Sequence, residues 1–196
     1  MRKLIVLFLA IFILGTVSVS ADWKVVSKDK DWNTFIYEEA GFSIDIPKVL
    51  DQSDLGENKS GVFATFRDGY DKIDEDHTTA IINIHIEKPS KYPIKSFNDC
   101  TDEEFKNFLK EYQVHYFYNI LPAESKCEEI ILNENRCIAL TTAIGKQKFV
   151  VKAYVFVVDK QTFEINSTYR PNKWSKDFLN KIINSIKFTK TDNDSK

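Results

Sequence analysis

The ten residues Phe149-Val150-Val151-Lys152-Ala153-Tyr154-Val155-Phe156-Val157-Val158 constrain the fold more than any other segment. They are β-branched or aromatic at both odd and even positions. A strand with one wet face alternates, so a strand apolar on both faces must be covered on both. Short polar turns flank this run, Gly145-Lys146-Gln147 before it and Asp159-Lys160-Gln161 after it. The strands they join, Arg136 to Ile144 and Thr162 to Tyr169, are therefore its antiparallel neighbours. A further strand, Lys126 to Leu132, enters through Asn133-Glu134-Asn135; a turn centred on Glu134 sets Cys137 opposite Ile131.

The first half of the chain supplies more strands. Phe35 and Tyr37 share a face, as do Phe42, Ile44 and Ile46, with Pro47 ending the second run. Val62 to Arg67 and Ala80 to Glu87 follow, and Asp51 to Ser60 reads as a polar, Gly-containing loop. Two helices are expected. Thr101 and Glu104 form a capping box before Phe105, Phe108, Leu109 and Tyr112, and the second helix spans about Lys173 to Ser185 with Trp174, Phe178, Leu179, Ile182 and Ile183 on one flank. Helices so far apart in sequence can take opposite faces of one sheet. The expected fold is α+β, an α/β/α sandwich with a central antiparallel sheet flanked by helices.

Met1-Arg2-Lys3 followed by the apolar run Leu4 to Leu14 and small residues through Ala21 reads as a cleaved signal peptide, residues 1–21. The expected destination is secreted or periplasmic. Residues 22–33 read as a polar N-terminal extension, 34–188 as a single domain and 189–196 as a disordered polar tail. No later segment is apolar enough to span a bilayer. The 27 basic and 29 acidic residues give a formal charge of −2, which supplies no field for phosphate backbones, so nucleic acid is not an expected partner.

Tyr37-Glu38-Glu39-Ala40-Gly41-Phe42-Ser43-Ile44-Asp45-Ile46-Pro47 resembles the opening of PsbP-like proteins, in which an aromatic strand passes through Gly-Phe-Ser into an apolar strand ending in Pro. Phe178 to Phe188, ending Asn184-Ser185-Ile186-Lys187-Phe188, is similar to the closing helix and strand of that group. The resemblance covers roughly Thr34 to Phe188 and is to bacterial exported members. It implies the sandwich fold and a role as a binder or accessory subunit. No functional residue is carried over from it.

Asp71-Lys72-Ile73-Asp74-Glu75-Asp76-His77 gathers four carboxylates and an imidazole within seven residues. Asp71, Asp74, Asp76 and His77 are the candidate ligands for a divalent cation, which needs several oxygen donors; a solvated acidic loop accounts for the same residues. His85 shares a strand face with Asn83 and Glu87, and an open face makes these surface residues. Tyr116, Phe117 and Tyr118 are the candidate partner contact, in an aromatic cluster that also continues the buried stripe of the first helix. Of Cys100, Cys127 and Cys137, either one pair involving Cys100 is bridged or all three are reduced and packed as small hydrophobes. There is no Gly-x-Ser-x-Gly, His-Glu-x-x-His, phosphate loop or dinucleotide fingerprint. The expected function is a non-catalytic exported protein, without a resident cofactor, that binds an envelope or secreted protein partner. A small-ligand or divalent-cation binder using residues 71–77 is the alternative, and a hydrolase with an unrecognised site the third.

Overall fold

The computed structural model describes residues 23–68, 80–117, 125–144, 149–171, 174 and 176–189. Among them two antiparallel sheets dominate. The smaller contains β1 (Trp23–Ser27), β2 (Trp32–Tyr37), β3 (Phe42–Pro47) and β11 (Lys187–Phe188), in the order β1-β2-β3-β11. The larger contains β4 (Asp51–Asn58), β5 (Gly61–Arg67), β6 (Ala80–Glu87), β7 (Lys126–Leu132), β8 (Asn135–Ile144), β9 (Phe149–Val158) and β10 (Gln161–Tyr169), in the order β4-β5-β6-β10-β9-β8-β7. The described α-helices are α1 (Asp102–Phe117) and α2 (Lys176–Asn184).

The sheets pack face to face through aromatic rings. Phe35 meets Phe66 with ring centroids 4.5 Å apart, Phe42 stacks on Phe163 at 5.5 Å, and Phe188 closes on Phe156 at 5.2 Å. Each such buried ring contributes on the order of 1.5–3 kcal/mol by leaving water. Helix α2 lies beside the small sheet on the same front of the large one, adding Leu179, Ile182 and Ile183 to this core and setting Phe178 against Trp32. A second, smaller core lies on the back. There Phe105 and Tyr112 of α1, with Phe97, cover Ile138, Leu140, Ala153, Val155 and Val157.

The expected α/β/α sandwich is therefore overturned. Among the described residues the chain is mostly β: a second sheet covers most of the front, and α1 covers the back over β7, β8 and β9. The double covering is present over Ala153–Val157, with Tyr154 and Phe156 in one core and Ala153, Val155 and Val157 in the other, while Phe149 to Lys152 are only half-buried. What a sequence cannot separate is a helix from a sheet as the covering layer, because both present an apolar face. Two further strands also lie in stretches whose composition is polar. Trp23–Ser27 forms the edge of the small sheet, and Asp51–Asn58, read as a loop, pairs with β5 from Asp51↔Arg67 to Asn58↔Gly61.

The β7–β8 and β9–β10 hairpins turn through two residues, not three. Asn133 and Glu134 (φ 49° and 65°) and Asp159 and Lys160 (φ 48° and 61°) are all left-handed, the mirror-image turn whose twist suits a right-twisted hairpin. Shortening the first turn moves the register by one residue, so Cys137 sits opposite Ile130 and Cys127 opposite Leu140. The capping box forms as expected: Thr101 N donates to Glu104 Oε2 (2.9 Å) and Glu104 N to Thr101 Oγ1 (3.3 Å).

Candidate functional site

Asp71, Asp74, Asp76 and His77 lie outside the described residues, as do Tyr118 and the side chains of Tyr116 and Phe117, whose backbone closes α1. The ends of the 69–79 segment are held together: Ala80 N donates to Asp68 Oδ1 at 2.7 Å, and Asp68 N to Ala80 O at 3.2 Å. Among the described residues no group of three or more His, Cys, Asp or Glu side chains is placed to hold a metal ion.

Asn83, His85 and Glu87 lie on the back of the large sheet, beyond the part that α1 covers. Asn83 is exposed and accepts from Thr65 Oγ1 at 3.0 Å; His85 faces Phe63 on one side and Glu164 on the other. His85 and Glu87 are half-buried. Cys100, Cys127 and Cys137 are all free thiols, the last fully buried.

Two features that could meet a ligand or partner were not picked out from the sequence. The first is the outer edge of β1. Among the described residues β1 pairs only with β2, and Val25 and Val26, adjacent and therefore on opposite faces, are 46% and 42% exposed. Val25 is opposite Phe35, so it stands on the core-facing side of the sheet and is still half open to solvent. The other long edges are blunted. β4 carries Asp51, Asp54 and Glu57 and a register shift between Gln52 and Asp54; β7 exposes Ile131 but engages Lys126 with Glu128 and Glu129 with Arg136, both at 2.6 Å. The available signal was Trp23-Lys24-Val25-Val26, strand-forming residues diluted by the polar turn behind them.

The second is a cavity of about 320 Å³ where the loop after β6 passes under α1, lined by Lys91, Tyr92, Pro93, Phe108, Glu111 and Tyr112. Backbone and side-chain bonds fix that loop to the sheet. Ser90 N donates to Lys160 O (2.8 Å), Lys160 N to Lys95 O (2.9 Å), and the Ser90 and Thr162 hydroxyls lie 2.7 Å apart. Tyr92 is thereby set against Phe97 and Phe108, each with centroids 5.3 Å away. Burial, and then the carboxylates of Glu164, Glu111 and Glu87, push the Tyr92 phenol well above the usual tyrosine range.

A larger cleft of about 910 Å³ opens at the turn end, between Asn98, Asn133, Asp159 and Phe188. Its amides are engaged in building the walls. Asn133 Nδ2 donates to Asn184 O and Ile186 O (3.2 and 2.7 Å), and Asn98 bridges the β7–β8 turn by donating to Glu134 O and accepting from Arg136 N. This cleft is a seam joining α2 and the turn to the sheet.

No family model and no curated protein matches the sequence. Among solved structures the chain is similar to cyanobacterial PsbP (CyanoP) from Synechocystis sp. PCC 6803, at 14% identity and a TM-score of 0.48 over 89% of this chain and 96% of that one. It is also similar to a crystal structure from Bacteroides thetaiotaomicron VPI-5482, at 10% identity and a TM-score of 0.44 over 76% of this chain. This chain spans only 46% of the length of the second. Neither similarity assigns a residue a role. No helix of the described residues is long and apolar enough to cross a membrane.

Proposed function

We propose that this chain is an exported, non-catalytic binding protein that takes an extended segment of a partner protein onto the outer edge of β1. The observation that carries the reading is the pair Val25 and Val26. Adjacent in the strand, they put one β-branched side chain on each face, yet among the described residues the strand ends its sheet and both valines are nearly half exposed. Strand addition supplies what is missing, because the partner's backbone satisfies the open row of N–H and C=O groups and its β-branched side chains cover the two valines. The occupant is accordingly an extended apolar segment of another exported protein. Its own charges are not called for, since Lys24 and Lys28 beside the edge are already paired with Glu38 and Asp45. Export rests on the basic start and apolar run of residues 1–21.

A photo-reactive amino acid placed at Val26 in the native host, with a control at Glu57 on the β4 edge, tests this. The expected result is one partner cross-linked from position 26 through a short peptide and absent from position 57. Val25→Asp with Val26→Asp should abolish that capture while leaving the melting temperature nearly unchanged. Equal capture from both positions, or capture that survives the double substitution, overturns the proposal.

A further inference from the structure

The aromatic cavity under α1 differs in character from the β1 edge. Three of its lining residues are aromatic, Tyr92, Phe108 and Tyr112, and Glu111 is its acidic member. The neighbouring sheet adds to the same sign of charge. Thr162, which the loop grips through Ser90, is opposite Glu87, and Glu164 follows two residues along on the same face of β10. Glu164, Glu111 and Glu87 all raise the Tyr92 phenol, so the cavity sits in a negative field although Glu111 alone lines it. A cation already samples the site. Lys91 Nζ lies over the Tyr92 ring, 5.4 Å from its centroid, and Lys91 is an exposed side chain free to swing outward.

We infer that the cavity bounded by Tyr92, Phe108, Glu111 and Tyr112 is a binding site for a quaternary ammonium group. Aromatic faces attract a cation through their negative π-clouds but donate no ligand to a metal, which would require several oxygens where this cavity lining offers one carboxylate. A primary ammonium is strongly hydrated and loses much on entering such walls. A methylated ammonium is weakly hydrated and apolar at its surface, so it gains from both the rings and the carboxylates. The volume of about 320 Å³ suits a headgroup of this size and lies at the small end of ligand pockets. The same chemistry is presented by a free choline-type solute and by a phosphatidylcholine headgroup.

The test is a titration of the purified chain with choline chloride at constant ionic strength, followed by amide NMR. Saturable shifts are expected at Tyr92 and from Phe108 to Tyr112. The neutral isostere 3,3-dimethylbutan-1-ol should bind about tenfold more weakly, because it keeps the shape and loses the charge. Two substitutions at exposed positions should move affinity in opposite directions: Glu111→Gln weakens choline binding several-fold, and Lys91→Ala tightens it by removing the competing cation. Sedimentation with phosphatidylcholine vesicles, against phosphatidylglycerol vesicles, separates the sources. Co-sedimentation with the former only assigns a lipid headgroup, and choline binding without co-sedimentation assigns a soluble ligand. Absence of saturation at tens of millimolar choline, equal binding of the neutral isostere, or the same direction of change in both variants overturns the inference.

Discussion

The guanidinium of Arg136 on β8 lies 4.2 Å from the centroid of the Phe105 ring on α1, and it is held there from three sides. Nε donates to Glu129 at 2.6 Å, Nη2 to Asp102 at 2.8 Å and Nη1 to the Cys100 carbonyl at 3.1 Å. One side chain therefore ties the first turn of the helix to two strands. Arg136→Ala leaves Glu129 and the Cys100 carbonyl without this donor and strips a planar cover from Phe105. The expected loss is about 1–3 kcal/mol in urea unfolding. Arg136→Lys should recover less than half of it, because an ammonium cannot stack and bridge three acceptors at once.

Gly61 and Gly56 make a paired test of backbone sterics. Gly61 has φ 142°, and a Cβ built there would meet the Ile86 carbonyl oxygen on the neighbouring strand at 2.1 Å. At Gly56 the obstruction is the tip of the Phe63 ring at 2.6 Å, which covers the glycine across the hairpin. A ring can tilt and a sheet backbone cannot. Gly61→Ala should cost about 2 kcal/mol or more, and Gly56→Ala less than about 1 kcal/mol, read from the shift of the unfolding midpoint.

The thiols should differ in reactivity. Burial pushes Cys137 up to about 12 and Cys127 up to about 11, while Cys100 is raised first by burial and then by Glu104. Little thiolate exists at pH 8 in any of them. Alkylation of the native chain, followed by peptide mass mapping, should therefore label Cys100 first, Cys127 more slowly and Cys137 only after denaturation.

Acid should weaken the fold through Glu39 and Glu104. The Tyr37 hydroxyl, 2.5 Å away, and then Lys88 hold Glu39 below the ordinary glutamate value of 4.5; the Thr101 backbone N–H and hydroxyl do the same for Glu104. A carboxyl whose folded value is depressed binds its proton more readily in the unfolded chain. Its contribution is thus complete above the unfolded value and is lost as pH falls through the folded one. Urea midpoints measured from pH 6 down to pH 3 should fall, and the combined Glu39→Gln and Glu104→Gln variant should show a shallower fall.

Local chemistry was legible in the sequence wherever one residue type had one job. Thr101 and Glu104 announced the start of α1, and Phe149–Val158 announced the double covering present over Ala153–Val157. Legibility failed where a strand owed its existence to a neighbour. Asp51–Asn58 has loop composition because, Leu55 apart, its described side chains are mostly in water, and its backbone is tied down by β5. Trp23–Ser27 is short and followed by Lys28 to Asp31, so its valines did not stand out as a strand edge. The layer order failed for a related reason: Phe35, Phe42 and Ile44 read equally well as part of one sheet or of a second sheet upon it. The cavity under α1 draws on Tyr92, Phe108 and Glu111, which no spacing rule connects.

The strand Lys187–Phe188 pairs with β3, Ser185 Oγ accepts from Asp45 N across 140 residues, and Thr189 N donates to the Gly41 carbonyl at 2.7 Å. The start of the fold is thus fastened by nearly its last described residues. While the chain is being synthesised, the small sheet lacks its fourth strand and the Phe42 ring lacks Phe188 until almost the whole sequence has emerged. The contact of the small sheet with the large one through Phe188 is thus the last part of the core to be completed.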